Sequence, residues 1–332
     1  MNARWMALVR RWVAAIASTV RMAAPKGFTI IARPNTIVAE DGFPLEAYCL
    51  ERAGARQRDS GLVLYIQGSN DEPVLNAMAH LAGFVMLGMR VLLVERRGVH
   101  ANGTFDATSG RRYATRIQRV QDVLAVLRNG LDNRQSPGPV MLAGVSEGGS
   151  IAVSVAAVEP RVTHLALFGT GGWPQAEELR HFVREQSGYL GIGSLSELEA
   201  KFEEIRTRPD SDELWLGHTF RRWSAYLWHA AADDAGRLNI PVFQAHGMLD
   251  QSVPLASARA IREIIASQGK CSLQYVEYET LDHRFRDPEG KSGLALVEVD
   301  ILRWLAGTGV LNESDARHFE EQVRRNHPER FG

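Results

Sequence analysis

The chain is poor in cysteine and has no excess of charge of either sign. Its 332 residues include two cysteines, Cys49 and Cys271, which are too few for a disulfide framework. No spacing of cysteine and histidine suggests zinc, so we predict two buried free thiols and no metal site. The 38 basic and 39 acidic residues give a formal net charge of −1. This balance offers no electrostatic footprint for nucleic acid, which is not an expected partner.

Long apolar runs are also lacking. No stretch approaches the ~20 apolar residues that a membrane-spanning helix needs, so no integral membrane segment is predicted. Residues 1–26 carry several arginines before the short apolar run Trp12–Ala17, and Arg21 interrupts the apolar pattern. This segment has two interpretations: a weak signal peptide, which implies export to the periplasm, or a basic amphipathic helix. Because the apolar run is short, we expect a cytoplasmic protein and keep export as the alternative.

From about residue 28 to residue 307, patterns of strand and helix alternate. Short apolar runs predict strands buried on both faces at Leu62–Ile66, Val91–Val94, Val140–Ala143, Leu165–Phe168 and Val242–Phe243. Further strands are predicted at Phe28–Ala32, Ile37–Val38, Leu45–Leu50 and Leu273–Tyr278. Helical periodicity marks Tyr113–Arg128, Ser150–Val158, Leu255–Ser267 and Gly293–Leu305. The order predicts an α/β fold with a doubly wound, mostly parallel central sheet flanked by helices.

One segment interrupts this alternation. Residues 174–238 are too long for a single crossover helix and are rich in aromatic side chains. We predict a helical cap inserted between two parts of an α/β core, residues 27–173 and 239–308, because long insertions in compact domains usually serve function. Ordinary surface helices beside the sheet are the alternative. Residues 309–332 are charged and predict a C-terminal tail or peripheral helix.

The sharpest local signal is the GxSxG segment Gly144–Gly148. A predicted buried strand precedes it and helical periodicity follows it, so Ser146 is expected on a tight turn from strand to helix. Such a turn needs small neighbours, because a side chain there collides with nearby backbone. It presents the serine hydroxyl at the carboxyl end of the sheet, beside the N–H groups that begin a helix.

This segment resembles the nucleophile elbow of the α/β-hydrolase family, in which the catalytic triad follows in the order serine, acid, histidine. The resemblance extends over residues ~35 to ~306 and implies a serine hydrolase. A further segment, Glu95–Gly103, is similar to the DxRGxGxS loop of the family, with glutamate in place of aspartate and altered spacing. We take that segment as support for the fold and give it no catalytic role.

The resemblance implies the other members of the triad. Asp250 lies in His246–Pro254, which is similar to the HGxxDxxVP segment of the family and directly follows a predicted strand. His283 follows the predicted strand Leu273–Tyr278 and precedes the last core helix, where the family places its base. Each residue also has a structural alternative, Asp250 as a helix cap and His283 as an ordinary structural histidine.

Acyl transfer also needs N–H donors for the carbonyl oxygen that becomes negative. The resemblance implies the N–H of Glu147 as one donor and the loop Gln67-Gly68-Ser69, with Ser69 the favoured residue, as the source of the other. Many relatives carry His-Gly where this chain has Gln67-Gly68, which leaves the second donor open. Four residues are candidate substrate contacts: Gln67, Trp173, Trp215 and Trp223.

The predicted reaction is hydrolysis of a carboxylic ester through an acyl-enzyme, on a small-molecule acyl substrate and without any cofactor. A serine nucleophile argues against the dehalogenases and epoxide hydrolases of this fold, which use aspartate. The alternatives are an amide hydrolase similar to serine aminopeptidases and proline iminopeptidases, a thioesterase, a carbon–carbon bond hydrolase, and a binding protein that has lost catalysis. A peptidase that reads an amine needs a carboxylate in the cap, for which the candidates are Glu177, Glu178, Glu185, Glu197, Glu203 and Glu204. The sequence carries no signal of oligomeric state.

Overall fold

The computed structural model describes residues 20–24, 28–54, 60–133, 138–185, 188–270 and 272–331. Its strands in chain order are β1 Val20–Ala24, β2 Phe28–Val38, β3 Pro44–Arg52, β4 Leu62–Ile66, β5 Arg90–Val94, β6 Val140–Val145, β7 His164–Phe168, β8 Leu214–Trp215, β9 His218–Thr219, β10 Val242–Gly247 and β11 Leu273–Tyr278.

Its α-helices in chain order are α1 Met78–Met86, α2 Ala107–Tyr113, α3 Arg116–Asp132, α4 Glu147–Ala156, α5 Gln175–Glu185, α6 Leu195–Thr207, α7 Phe220–Tyr226, α8 Ala231–Ala235, α9 Leu255–Gln268, α10 Leu294–Gly307 and α11 Glu313–Asn326. The protein is therefore α/β, with a mostly parallel sheet flanked by helices, as predicted. Two compact units divide the chain: one falls within residues 1–143 and 199–227, the other within 144–198 and 228–332.

In the first unit the strand order is β1-β2-β3-β5-β4-β6. The pairs β1–β2, β2–β3 and β3–β5 are antiparallel, and β4–β5 is parallel. Helices α1 and α3 pack against these strands. The core is formed by fully buried side chains of β4 and β5 such as Leu62, Leu64 and Leu93, which is why both strands appear in the sequence as continuous apolar runs.

Two boundaries in this unit differ from the prediction. The two short strands expected at 28–32 and 37–38 form one strand, β2, that continues through Pro34. Among the described residues β1 pairs with residues 28–32, so Pro34 lies past the last described pair, where its missing N–H removes no bond to β1. The helix expected at 113–128 begins only at Arg116, because the Thr115 hydroxyl caps it by accepting the N–H of Gln118.

In the second unit β7, β10 and β11 form parallel pairs in the order β7-β10-β11. Helices α4, α9 and α10 pack against these strands, and α11 packs on α10. Helix α4 begins directly after Ser146, three residues earlier than predicted. Helix α9 ends at Gln268 and is capped by Gly269, whose φ of 59° is the left-handed conformation that favours glycine at a helix end.

The remaining predicted segments have these structures. Residues 174–238 contain α5 to α8 and the two-stranded β8–β9 hairpin, so they are mostly helical, and their role as a cap stays a prediction. Within the C-terminal segment 309–332, α11 forms a helix. Most of the N-terminal segment 1–26 lies outside the described residues, and its described part is a strand, β1, rather than a helix.

Two further expectations concern the thiols and the membrane. Cys49 is a free, buried thiol as predicted, whereas Cys271 lies outside the described residues. Across the part of the chain that the structure describes, no helix is both long enough and apolar enough to cross a membrane.

Candidate active site

The turn between β6 and α4 holds Ser146 in a strained backbone conformation. Its φ of 54° and ψ of −125° lie in a region of backbone conformation where residues other than glycine are rarely found. The turn is fixed from both sides: the Ser146 N–H donates to the carbonyl oxygen of Phe168 at 2.8 Å, and the Thr170 hydroxyl donates to the carbonyl oxygen of Ser146 at 3.3 Å. The side chain, half-buried, therefore projects from a rigid corner.

Two glycines make this corner sterically feasible. A Cβ on Gly144 would lie 2.5 Å from the carbonyl oxygen of Gly148, and a Cβ on Gly149 would lie 1.9 Å from the Thr170 hydroxyl oxygen. Both distances are far inside van der Waals contact, so neither position accepts a side chain without displacement of its neighbours. Gly144 thus permits the close approach of β6 to the start of α4, and Gly149 permits the close approach of α4 to the segment that follows β7.

Asp250 and His283 form a direct hydrogen bond. The Asp250 Oδ2 lies 2.6 Å from the His283 Nδ1, and the side chains are 1% and 22% exposed. Because a carboxylate oxygen only accepts, Nδ1 carries the hydrogen and Nε2 is left as the basic nitrogen. The other carboxylate oxygen, Oδ1, accepts the N–H groups of Ser252 and Val253 at 2.7 and 2.8 Å. This buried carboxylate is therefore fully hydrogen-bonded and cannot turn away from the imidazole.

The loops that carry these two residues are joined through their backbones. The Met248 N–H donates to the carbonyl oxygen of Tyr278 at 2.9 Å, and the Leu249 N–H donates to that of Leu281 at 3.0 Å. Gly247 permits this approach, because a Cβ there would lie 2.3 Å from the Leu281 carbonyl oxygen. The distance between the acid and the histidine is consequently set by main-chain hydrogen bonds rather than by flexible side chains.

His283 and Ser146 lie against the same short segment at the end of β7. A Cβ on Gly169 would contact the His283 ring at 3.3 Å, and Phe168, the residue before it, accepts the Ser146 N–H. Gly169 has a φ of 58° and carries no side chain that would separate the imidazole from the serine turn. The structure thus brings the acid, the histidine and the serine turn together within the second unit.

Comparison with known proteins gives the fold a name. No family model matches the chain, and no curated protein matches it. Among solved structures, the acetyl xylan esterase from Paenibacillus sp. R4 is similar with a TM-score of 0.57 and 16% identity, over 92% of this chain and 95% of that chain. A puromycin-hydrolyzing peptidase from Mycobacterium tuberculosis is similar with a TM-score of 0.55 and 19% identity, over 83% of this chain and 40% of that chain.

A puromycin hydrolase is similar with a TM-score of 0.60 and 17% identity, over 84% of this chain and 40% of that chain. The chain has the α/β-hydrolase fold. It spans about two fifths of the length of both puromycin-cleaving proteins and nearly the full length of the esterase.

The predicted oxyanion donors of this α/β-hydrolase fold lie at two places in the chain. Glu147 is the first residue of α4, so its N–H belongs to the turn of the helix in which N–H groups find no acceptor within the helix. Gln67, Gly68 and Ser69 form a loop directly after β4 in the first unit, with Gln67 buried and the other two half-buried. Both placements agree with what the resemblance implies, and the role of these donors stays a prediction.

The three predicted tryptophans have well-defined packing. The rings of Trp215 and Trp223 pack in a tilted arrangement with centroids 5.0 Å apart, and the Trp223 Nε1 donates to the carbonyl oxygen of Trp215 at 2.7 Å. The N–H of Trp173 donates to the Ser257 hydroxyl at 2.9 Å, and its ring meets that of His181 edge-on. These contacts account for the tryptophans as packing residues, and their contact with a substrate stays a prediction.

One residue beside Asp250 was not singled out as functional in the sequence. His246 is fully buried, its Nε2 lies 3.5 Å from the Asp250 Oδ2 and 3.3 Å from the Val253 carbonyl oxygen, and burial lowers its pKa. His246 is therefore neutral. It donates to the loop that carries Asp250 and brings no positive charge that would compete with His283 for the Asp250 carboxylate. Its spacing of four residues from Asp250, at the end of a strand, was the available signal.

Glu178 differs from the other acidic candidates in residues 174–238. Its Oε1 accepts the Ser257 hydroxyl at 2.7 Å, and burial raises its pKa to about 8, with the nearby negative charge of Asp250 adding to the effect. The others are engaged or exposed on the surface: Glu177 pairs with Arg180, Glu203 with Arg206 and Glu204 with Lys201, Glu197 accepts the Gly193 N–H, and Glu185 is exposed. In the sequence, all six look alike.

Proposed function

We propose that the protein is a serine hydrolase that cleaves a carboxylic ester with Ser146, His283 and Asp250. The observation that carries the proposal is the 2.6 Å bond between Asp250 and His283 in a unit that also holds Ser146 at a strained turn. Strained backbone and a buried, hydrogen-bonded acid cost stability, and both are found where a reaction needs fixed groups.

Each residue has a defined part in the proposed reaction. The His283 Nε2 removes the hydroxyl proton of Ser146 as the oxygen attacks the ester carbonyl. Asp250 keeps Nδ1 protonated and stabilises the imidazolium that results. His283 then returns the proton to the departing alcohol, which leaves an acyl group on Ser146. The same nitrogen then deprotonates a water molecule that attacks the acyl group; the bond to Ser146 breaks, the serine oxygen takes that proton back from His283, and the carboxylic acid is freed.

The negative oxygen of the tetrahedral intermediate needs preorganised donors, which typically contribute 10²–10³-fold each to the rate. We assign this part to the N–H of Glu147 and to the loop of Gln67, Gly68 and Ser69, with the Ser69 N–H as the favoured donor. The proposal uses no metal and no organic cofactor, and the expected partner is a small-molecule acyl compound.

Ester hydrolysis is supported by the likeness to the acetyl xylan esterase, which extends over nearly the whole of both chains. Amide hydrolysis is the second candidate, because the chain is also similar to a puromycin-hydrolyzing peptidase. If the substrate is an amide, Glu178 is the carboxyl group to test as a contact for the substrate amine, since it is withdrawn from solvent and lies near Asp250.

The test compares turnover of p-nitrophenyl esters of several chain lengths with turnover of aminoacyl and prolyl arylamides. Ser146→Ala serves as the blank, and a fluorophosphonate probe reports whether Ser146 is nucleophilic. We expect ester turnover and labelling that both disappear in Ser146→Ala. Faster cleavage of arylamides that need a free amino group would favour the peptidase, and a folded protein that neither turns over nor labels would refute catalysis by this triad.

A further inference from the structure

The loop after β4 is held by two arginines from other parts of the first unit. The Arg119 Nη2, on α3, donates to the carbonyl oxygens of Gln67 and Gly68, the second at 3.3 Å. The Arg96 Nη1, just after β5, donates to the carbonyl oxygens of Ser69 and Asn70 at 2.5 and 2.6 Å. Four consecutive carbonyl groups are thus taken by two guanidinium groups.

This arrangement fixes the direction of the amide N–H groups. In a planar trans peptide the N–H of one residue points opposite to the carbonyl of the residue before it. With the carbonyls of 67, 68 and 69 turned toward the arginines, the N–H groups of Gly68, Ser69 and Asn70 point away from them. Across the described chain, none of these three N–H groups donates to a protein acceptor. The loop therefore presents a row of open donors on the side opposite to the arginines.

We infer that Arg96 and Arg119 are positioning residues that preorganise this loop to receive the negative oxygen of the reaction. The inference rests on the proposed function, because it concerns the loop to which that mechanism assigns the second oxyanion donor. Neither arginine touches the reacting atoms in this scheme. Each acts through the carbonyl groups that it binds.

Two physical effects favour arginine for this task. Its planar group carries several donors in fixed directions, so one side chain holds two adjacent carbonyls at once. Its charge, which does not titrate, also lies at the carbonyl end of each peptide dipole and polarises the N–H at the other end. A charge-assisted bond to a carbonyl thus both orients and strengthens the donor on the far side of the peptide. This chain has Gln67 before Gly68, where many α/β-hydrolases have a histidine.

Two residues of the loop add little restraint through their own side chains. Gly68 supplies no side chain, and Asn70 is exposed. Without the arginines, the peptides of this loop can rotate to present a carbonyl instead of an N–H toward the oxyanion. A peptide rotated in this way lowers kcat rather than substrate affinity. The reason is that the N–H donors bind the charge that develops in the transition state and contribute little to binding of the ground state.

The experiment uses Arg119→Met and Arg96→Met, which keep length and lose the donors, with Arg119→Lys as the conservative variant. Arg128→Met, on the same helix and half-exposed beside Glu40 at 3.8 Å, is the matched control. For a p-nitrophenyl ester we expect the two methionine variants to lose 10- to 100-fold in kcat with KM within about threefold. Arg119→Lys should recover part of the loss, and Arg128→Met should match the parent protein.

Two further readouts separate positioning from a general structural role. The pH dependence of kcat should keep its midpoint in Arg119→Met, because the arginine acts on the loop and not on His283. Added guanidinium ion should restore activity to Arg119→Ala in proportion to its concentration. An unchanged kcat in both methionine variants, a shifted pH midpoint, or a loss that follows the thermal midpoint and is not rescued would each overturn the inference. Failure of the proposed function looks different: the parent protein itself would lack turnover that depends on Ser146.

Discussion

Glu178 should make the stability of the protein depend on pH in a way that a single substitution removes. Its carboxyl group accepts the Ser257 hydroxyl at 2.7 Å, and burial raises its pKa to about 8 from an ordinary value of 4.5. At neutral pH the folded protein therefore holds this carboxyl group protonated. Glu178→Gln is the informative change, because glutamine keeps an acceptor for Ser257 and has no proton to lose.

The magnitude follows from proton linkage. Between the unfolded pKa near 4.5 and the folded pKa near 8, the folded chain retains a proton that the unfolded chain has released. The free energy of unfolding then falls as pH rises, by about 1.4 kcal/mol for each pH unit. From pH 5.5 to pH 7.5 the wild-type protein should lose about 2–3 kcal/mol through this one group. Glu178→Gln should lack that loss.

The assay is urea unfolding of both proteins at pH 5.5, 6.5 and 7.5. Glu95, whose pKa burial also raises to about 8, contributes the same slope to both and cancels in the difference. The free energy difference should move by about 2–3 kcal/mol in favour of glutamine across the range. Glu177→Gln, at an exposed ion pair with Arg180, is the control and should show no such trend. Parallel pH curves for wild type and Glu178→Gln would refute the reasoning.

Three further predictions concern the proposed triad, the glycine beside it and a buried ion pair of the first unit. Asp250→Asn should lower kcat by about 10³–10⁴-fold with unchanged circular dichroism, because the His283 tautomer is lost; a small effect in steady-state ester kinetics would contradict the assigned role. Gly247→Ala should lower thermal stability by about 1–3 kcal/mol, because its Cβ would lie 2.3 Å from a carbonyl oxygen of the histidine loop, and a calorimetric midpoint equal to wild type would argue against that clash. Arg97→Met should cost about 3–5 kcal/mol in urea unfolding, because it leaves the buried Asp122 without its 2.6 Å partner. Asp122→Asn in the same chain should recover part of that loss, and no recovery would mean that packing of the arginine dominates.

The fold was predictable where the pattern of apolar residues in the sequence indicates which strands are buried. Leu62–Ile66 has the bounds that its apolar run predicted, and Leu273–Tyr278 has the bounds predicted from a mixed pattern. The predicted bounds of strands and helices were wrong where strand pairing or helix capping, rather than the local apolar pattern, determines them. Two short strands were predicted where β2 is continuous through Pro34, because the pairing of β2 with β3 is not visible in a single sequence. The start of α3 was visible, since Thr115 and Gln118 form a capping pattern that outweighs periodicity at a helix end.

The members of the proposed triad were selected in another way. Ser146, Asp250 and His283 were selected because their order and flanking segments resemble a family, and the structure brings Asp250 and His283 into contact. The supporting residues were not predictable in this way. Glu178 looks like five other glutamates in its segment, and the roles of Arg96 and Arg119 depend on which carbonyls they reach. A contact between residues 67 and 119 leaves no local pattern, because neither residue type nor spacing encodes it.

The residues that the sequence predicted and the supporting residues that it did not are held in place in two different ways. The acid and the histidine are held by main-chain hydrogen bonds between adjacent loops, at distances that glycines permit. The loop after β4 is held by side chains, through Arg119 and Arg96. Backbone bonds survive most substitutions of surrounding side chains, so the triad should tolerate changes in its loops wherever a glycine is not replaced. A loop held by two distant side chains is lost with either of them. Reduced activity with an intact triad should therefore arise from substitutions at positions 96 and 119, far along the chain from the serine.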